Sequence, residues 1–167
     1  MTSEELAADL ERRSGVVDDK PAAGISEPRE RFLIFAMGES SFALPPSSVR
    51  EIVPGLAVFP LPGCPAYVPG LVNCHGKPYT VIDLRVLFEN ERQAAEQFLV
   101  LNLDDDDVAL GCTEVEEIIE VAHSALSSFA ANDAAGRFCS AMLEHADRRI
   151  PVLAVAQILK ELEHDLA

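Results

Sequence analysis

Gly70-Leu-Val-Asn-Cys-His-Gly-Lys-Pro-Tyr-Thr-Val-Ile-Asp-Leu-Arg85 reads as two short strands joined by a tight turn. Tyr67 to Cys74 and Lys77 to Asp83 are apolar runs of strand length, and Gly76 stands between them, where a turn needs positive φ. Asn73 can bond to backbone at the strand end. Gly70 allows another backbone to approach closely in or beside a strand. Upstream, Pro62 and Pro65 stiffen the loop of Leu61-Pro-Gly-Cys-Pro65. Downstream, Leu84 to Phe88 is long enough for one helical turn.

The same pattern extends in both directions. Arg31 to Met37 is a dense apolar run stopped by Gly38-Glu39-Ser40, and Ser41 to Leu44 is cut off by Pro45-Pro46. Val49 to Val53 and Leu56 to Leu61 are the next expected strands. Gln97 to Leu103 and Val108 to Cys112 flank Asp104 to Asp107, which predicts a hairpin with a four-residue loop. Glu114 to Val121 alternates charged and aliphatic residues as a half-buried strand does. Phe138 to Glu144 and Ile150 to Ala154 flank an expected turn at Asp147-Arg-Arg149. Val155, Ile158, Leu159 and Leu162 have helical spacing, so a helix closes the chain. Residues 1–30 are set apart as an extension. Thr2 with Glu5 fits a capping box for a helix over about 3–13, and 14–30 has the composition of a flexible linker.

Many short strands with Gly or Pro punctuation indicate a mainly β protein built as barrels or a sandwich. A faint repeat points to two related barrels. Val49-Arg-Glu-Ile52 resembles Val115-Glu-Glu-Ile118, and Val81 to Leu87 resembles Val152 to Ile158. The 167 residues suit one domain with a tail.

Charge narrows the function classes. Thirteen Lys+Arg against 28 Asp+Glu give a net charge of −15, which opposes unaided binding to nucleic acid or to an anionic membrane face. The longest nearly uncharged apolar run, Ile150 to Leu159, is far below the ~20 residues needed to span a bilayer. The start, Met1-Thr-Ser-Glu-Glu5, is acidic and unlike a cationic signal peptide. The expectation is a soluble protein of the reducing cytoplasm. The acidity is uneven: residues 1–30 carry −4, residues 31–95 carry 0, and residues 96–167 carry −11.

Catalytic motifs are absent from the sequence: it has no GxxxxGK[ST], no GxGxxG and no HExxH. The sharpest candidate for chemistry is Cys74-His75, as a thiol or zinc centre with Asp83 or Cys64. The preferred reading is plainer. Neighbours on a strand point to opposite faces, so Cys74 is buried, His75 is exposed beside the Gly76 turn, and the two do not meet. No cofactor, metal or small-molecule substrate is therefore expected. Asp104 to Asp107 fails the calcium-loop pattern, with Ala109 and Val115 where Gly and Glu are needed, and reads as a solvated turn. Glu114, Glu116, Glu117 and Glu120 form an acidic ladder, either a docking face for a basic partner or the water side of a strand. The closing helix is read as a cap on the barrel in preference to a partner helix.

Arg31-Phe-Leu-Ile-Phe35, Val49-Arg-Glu-Ile52, Leu61-Pro-Gly-Cys-Pro65, Gly70-Leu-Val-Asn73 with Gly76, and Val81-Ile-Asp-Leu-Arg85 together resemble the CheW family of chemotaxis adaptors over roughly 31–162. The resemblance implies two five-stranded SH3-like barrels related by a pseudo-two-fold, with a C-terminal helix, in a CheW-like domain of residues 31–167. It implies no catalysis. The implied partners are the regulatory domain of a CheA-type histidine kinase and the cytoplasmic tip of a chemoreceptor. Val49, Glu51, Gly70, Asn73 and His75 are the implied partner-binding positions. His75 replaces the Arg of the family's N-x-R-G motif and offers neither its donor fork nor its permanent charge, so a weaker, different or pH-sensitive contact is expected. Thr113 and Ala154 replace family Asp residues, and Ala141 a common Gly, which leaves open a scaffold for a non-standard chemosensory system, such as one controlling pili.

Overall fold

The computed structural model describes residues 27–128 and 134–166; the expected helix over 3–13 lies outside them. The strands are β1 (Arg29–Met37), β2 (Ser40–Leu44), β3 (Val49–Pro54), β4 (Gly70–Cys74), β5 (Lys77–Ile82), β6 (Gln97–Leu101), β7 (Val108–Cys112), β8 (Glu114–Ala122), β9 (Leu126–Ser127), β10 (Cys139–His145) and β11 (Arg148–Leu153). The helices are α1 (Leu84–Glu89), α2 (Ala134–Phe138) and α3 (Val155–Leu166). β1 begins two residues ahead of the expected domain start. Pro28 is already tied to the fold, its carbonyl accepting from the His123 amide at 2.9 Å.

The strands form two sheets, one ordered β3-β6-β7-β5-β4 and the other β8-β1-β2-β11-β10-β9. Their pairings correspond one to one. β6–β7 and β1–β2 are antiparallel hairpins; β5–β7 and β11–β2 are the parallel contacts; β4–β5 and β10–β11 are the outer hairpins. The short repeats sit at equivalent places. Each V-x-E-I segment carries a bulge, which leaves Arg50 opposite the β6 ladder and Glu116 opposite the β1 ladder as extra residues. This is the architecture of two SH3-like barrels, with one extra two-residue strand, β9, in the second sheet. The barrels do not divide the sequence in halves, because β1 and β2 join the strands of the C-terminal half.

Three apolar clusters explain the continuous runs on β1 and β6. Phe32 and Ile34 of β1 fill one barrel with Ile119, Leu143 and Ile150. Phe98 and Val100 of β6 fill the other with Val72, Tyr79 and Val81. The alternate residues, Leu33, Phe35 and Met37 with Leu99 and Leu101, enter a third cluster with Leu84, Phe138, Ile158 and Leu162. Both faces of these two strands are therefore apolar, as in any strand covered twice. α3 lays Ile158 and Leu162 on this third cluster, which makes it a cap on the core as expected.

Four local expectations are corrected. Leu56 to Leu61 is not a strand; only Phe59 bridges, to Leu71 of β4, because Pro54, Pro60 and Pro62 remove donors along that segment. Tyr67 and Val68 precede β4 and pack into the third cluster, since Pro69 delays the strand to Gly70. The β6–β7 loop is longer than four residues because Asn102 turns away to donate its amide to Ser48 O at 2.8 Å. The β10–β11 turn falls on Ala146 and Asp147, both at positive φ (50° and 60°), one residue earlier than expected.

Candidate functional site

The hairpin β4–β5 and the bulged strand β3 meet at one end of their barrel, and the chemistry-bearing side chains gather there. The extra residue at Arg50 changes the phase of β3, so Val49 points inward and is fully buried while Glu51 reaches the surface partly exposed. Arg50 spans the strand end, donating to Leu101 O (3.4 Å), Leu103 O (3.5 Å) and the Tyr79 hydroxyl (3.4 Å). Lys77, at the start of β5, pairs with Asp107 at 2.9 Å and lies 5.9 Å from the Tyr79 ring centroid.

His75 is not on the strand. It occupies the turn at φ 54°, followed by Gly76 at φ 81°. The strand-alternation reason for separating it from Cys74 therefore fails, although the burial expected for each is found: Cys74 is buried and His75 exposed. The left-handed turn swings the imidazole over β3, where His75 Nε2 donates to Glu51 Oε1 at 2.6 Å. Glu51, Cys74 and His75 bring one ligand atom each within 4.8 Å of one another. Burial pushes the Cys74 thiol above its ordinary range; Glu51 adds to the rise and Arg50 opposes it.

The other candidate ligands go elsewhere. Asp83 is the N-cap of α1, its Oδ1 accepting from the Arg85 amide at 3.0 Å and the Val86 amide at 3.2 Å. Cys64 packs half-buried against the third cluster.

Of the five partner-binding positions implied by the sequence, Glu51, Asn73 and His75 reach the surface and Val49 and Gly70 do not. Gly70 has a structural reason. A Cβ there would stand 2.1 Å from Phe59 O, at φ 153°, so the bridge between Phe59 and β4 requires glycine. Phe59 at that bridge is 59% exposed and Leu61, two residues on, 42%; they are two of the three large exposed apolar side chains of the described residues. Sequence reading missed Phe59 and Leu61 because the segment resembled an ordinary strand. Arg50 was legible only as the variable residue of V-x-E-I.

The acidic ladder is mostly engaged within the chain. Glu116 pairs with Arg148 at 3.2 Å, Glu117 with His145 at 3.7 Å, and Glu120 with Arg29 at 3.6 Å. Of the two readings of the ladder, the water side of a strand fits these pairs better than a free docking face. Thr113 serves the fold: its hydroxyl donates to Ala36 O at 3.1 Å and accepts from the Gly38 amide at 3.0 Å.

Comparison with known proteins gives consistent matches. Residues 31–163 match the CheW-like domain family. The chain is 24% identical over 111 residues to a chemotaxis protein CheW of Treponema pallidum, covering 62% of this chain and 65% of that protein. It is 25% identical over 138 residues to a chemotaxis protein CheW of Helicobacter pylori, covering 78% of this chain and 82% of that one. The crystal structure of the scaffolding protein TtCheW from Thermoanaerobacter tengcongensis shares the fold with a TM-score of 0.66 at 18% identity, covering 75% of this chain and 89% of that one.

Proposed function

The chain belongs to the CheW-like domain family, and from that premise we propose that it is a non-enzymatic chemotaxis adaptor that joins a CheA-type histidine kinase to the cytoplasmic tip of a chemoreceptor. The observation that supports this reading is the meeting of two family motifs: Glu51 of V-x-E-I accepts from His75 of the G-x-V-N-x-x-G stretch at 2.6 Å, and Asn73 of that stretch is exposed. Phe59, bridged to β4 beside Gly70, and Leu61 are also exposed. An apolar pair beside a few hydrogen-bonding groups is the usual make-up of a protein–protein contact. No helix among the described residues is long and apolar enough to cross a membrane. On the adaptor reading, the site of action is the cytoplasm, where the receptor tip and the kinase meet.

Titration of the folded protein with the kinase regulatory domain and with a receptor-tip fragment tests the role. Saturable binding to both supports coupling. Binding to the receptor alone would favour the scaffold of a non-standard system, which the departures at Thr113, Ala141 and Ala154 motivate.

A further inference from the structure

We propose that Glu51, Cys74 and His75 form a binding site for one zinc-type transition-metal ion. The three side chains come from β3, the end of β4 and the turn that follows β4. The β3 bulge presents the carboxylate, the last residue of β4 presents the thiol, and the left-handed turn presents the imidazole. Their ligand atoms lie within 4.8 Å of one another. Around a tetrahedral zinc ion, with bonds of about 2.0–2.3 Å, ligand atoms are roughly 3.3–3.7 Å apart. Reaching that spacing requires His75 Nε2 and Glu51 Oε1, 2.6 Å apart, to separate by side-chain rotation, and these two groups are the more accessible ones. His75 is 74% and Glu51 24% exposed at the side chain.

The donor set selects the ion. Thiolate and imidazole with a single carboxylate favour zinc and its soft neighbours over calcium or magnesium, which take oxygen ligands. On binding, the Cys74 thiol releases its proton to solvent and the hydrogen bond from His75 to Glu51 opens. Thiolate and carboxylate then balance the two positive charges of the ion. Arg50, held by two carbonyls and Tyr79, offers no ligand atom, since a guanidinium is donor-only. Three protein ligands leave a fourth position, which the exposure of His75 places toward solvent for water or an added ligand.

Cobalt(II) titration of the reduced full-length protein reads the site without any partner, so its result is independent of the adaptor role. The expected result is one ion per chain, a thiolate-to-cobalt charge-transfer band, and displacement of cobalt by zinc. Cys74→Ser should abolish the band, His75→Ala should weaken binding at least tenfold, and Cys64→Ser should change neither. Circular dichroism establishes that each variant is folded, and should Cys74→Ser fail to fold, His75→Ala and Glu51→Gln carry the test. A protein showing no charge-transfer band, a band that survives Cys74→Ser, or an affinity indifferent to both His75→Ala and Glu51→Gln would overturn the site.

Discussion

A methyl group at Gly70 would meet the Phe59 carbonyl at 2.1 Å, whereas Glu51 is partly exposed and its carboxylate pairs with one imidazole. Substitutions at the two positions should therefore separate stability from recognition. Gly70→Ala should lower stability by about 2–3 kcal/mol, because neither β4 nor the Phe59 segment can shift without losing their bridge. Its thermal midpoint should fall by about 5–10 °C, and partner binding should weaken along with the displaced Phe59 and Leu61. Glu51→Lys removes a surface pair worth at most about 1 kcal/mol, so its midpoint should move little while binding drops. The cysteines give a second residue-level check. Cys112 is buried, and burial pushes its thiol up to about 12, whereas Cys64 is half-buried. In native protein an alkylating reagent should modify Cys64 first and reach Cys112 only on unfolding. Early labelling of Cys112 would contradict the packing described.

Elements show how the two barrels diverged. α1 begins with Asp83 accepting two amides. The equivalent position before α3 is Ala154, where only the backbone carbonyl accepts, from Gln157 (3.0 Å) and Ile158 (3.2 Å). Ala154→Asp should supply the missing cap and stabilise the protein by about 0.5–1 kcal/mol, while Asp83→Ala should cost about 1–2 kcal/mol. Denaturant melts would measure both; a destabilised Ala154→Asp would mean that the two strand–helix junctions are not equivalent. This level is also where sequence reading succeeded and failed. β1, β5 and β7 were legible as apolar runs of strand length ended by clear stops, and α3 by the helical spacing of its apolar residues. The Leu56–Leu61 error arose because the apolar content resembled a strand while the flanking prolines removed the donors a strand needs. Leu56 and Val58 pack on a core cluster, and Phe59 and Leu61 are exposed. The site was half legible: motif order placed Glu51, Asn73 and His75 in it. Gly76 made the turn legible, but the positive φ of His75 was not, because a non-glycine residue in that conformation leaves no pattern in the sequence. That conformation joins His75 to Glu51.

The molecule as a whole is held by the third apolar cluster, and Tyr67 fastens α3 to it. The Tyr67 hydroxyl donates to Asp165 Oδ2 at 2.6 Å. Burial, then that hydrogen bond and the charges of Asp165 and Glu161, push the phenol well above its ordinary value. An acid raised on folding keeps its full contribution below the unfolded value of about 10, and loses it as pH rises toward the folded one. Thermal midpoints should therefore fall above about pH 10, and fall less steeply in Tyr67→Phe, which should itself cost about 1 kcal/mol at neutral pH. Equal alkaline slopes would remove Tyr67 from the account. Charge is the other property of the whole. Residues 31–95 sum to zero and hold the candidate surface, so recognition there should be mainly apolar and hydrogen-bonded, with little response to salt. The central claim is that this barrel end couples a kinase to a receptor. Calorimetric titration of the kinase regulatory domain into the folded protein and into Glu51→Lys tests it most directly. Saturable binding to the native chain, lost or strongly weakened in a variant that melts at nearly the same temperature, is the predicted result. No binding to the folded native chain, or equal binding to both proteins, would contradict it.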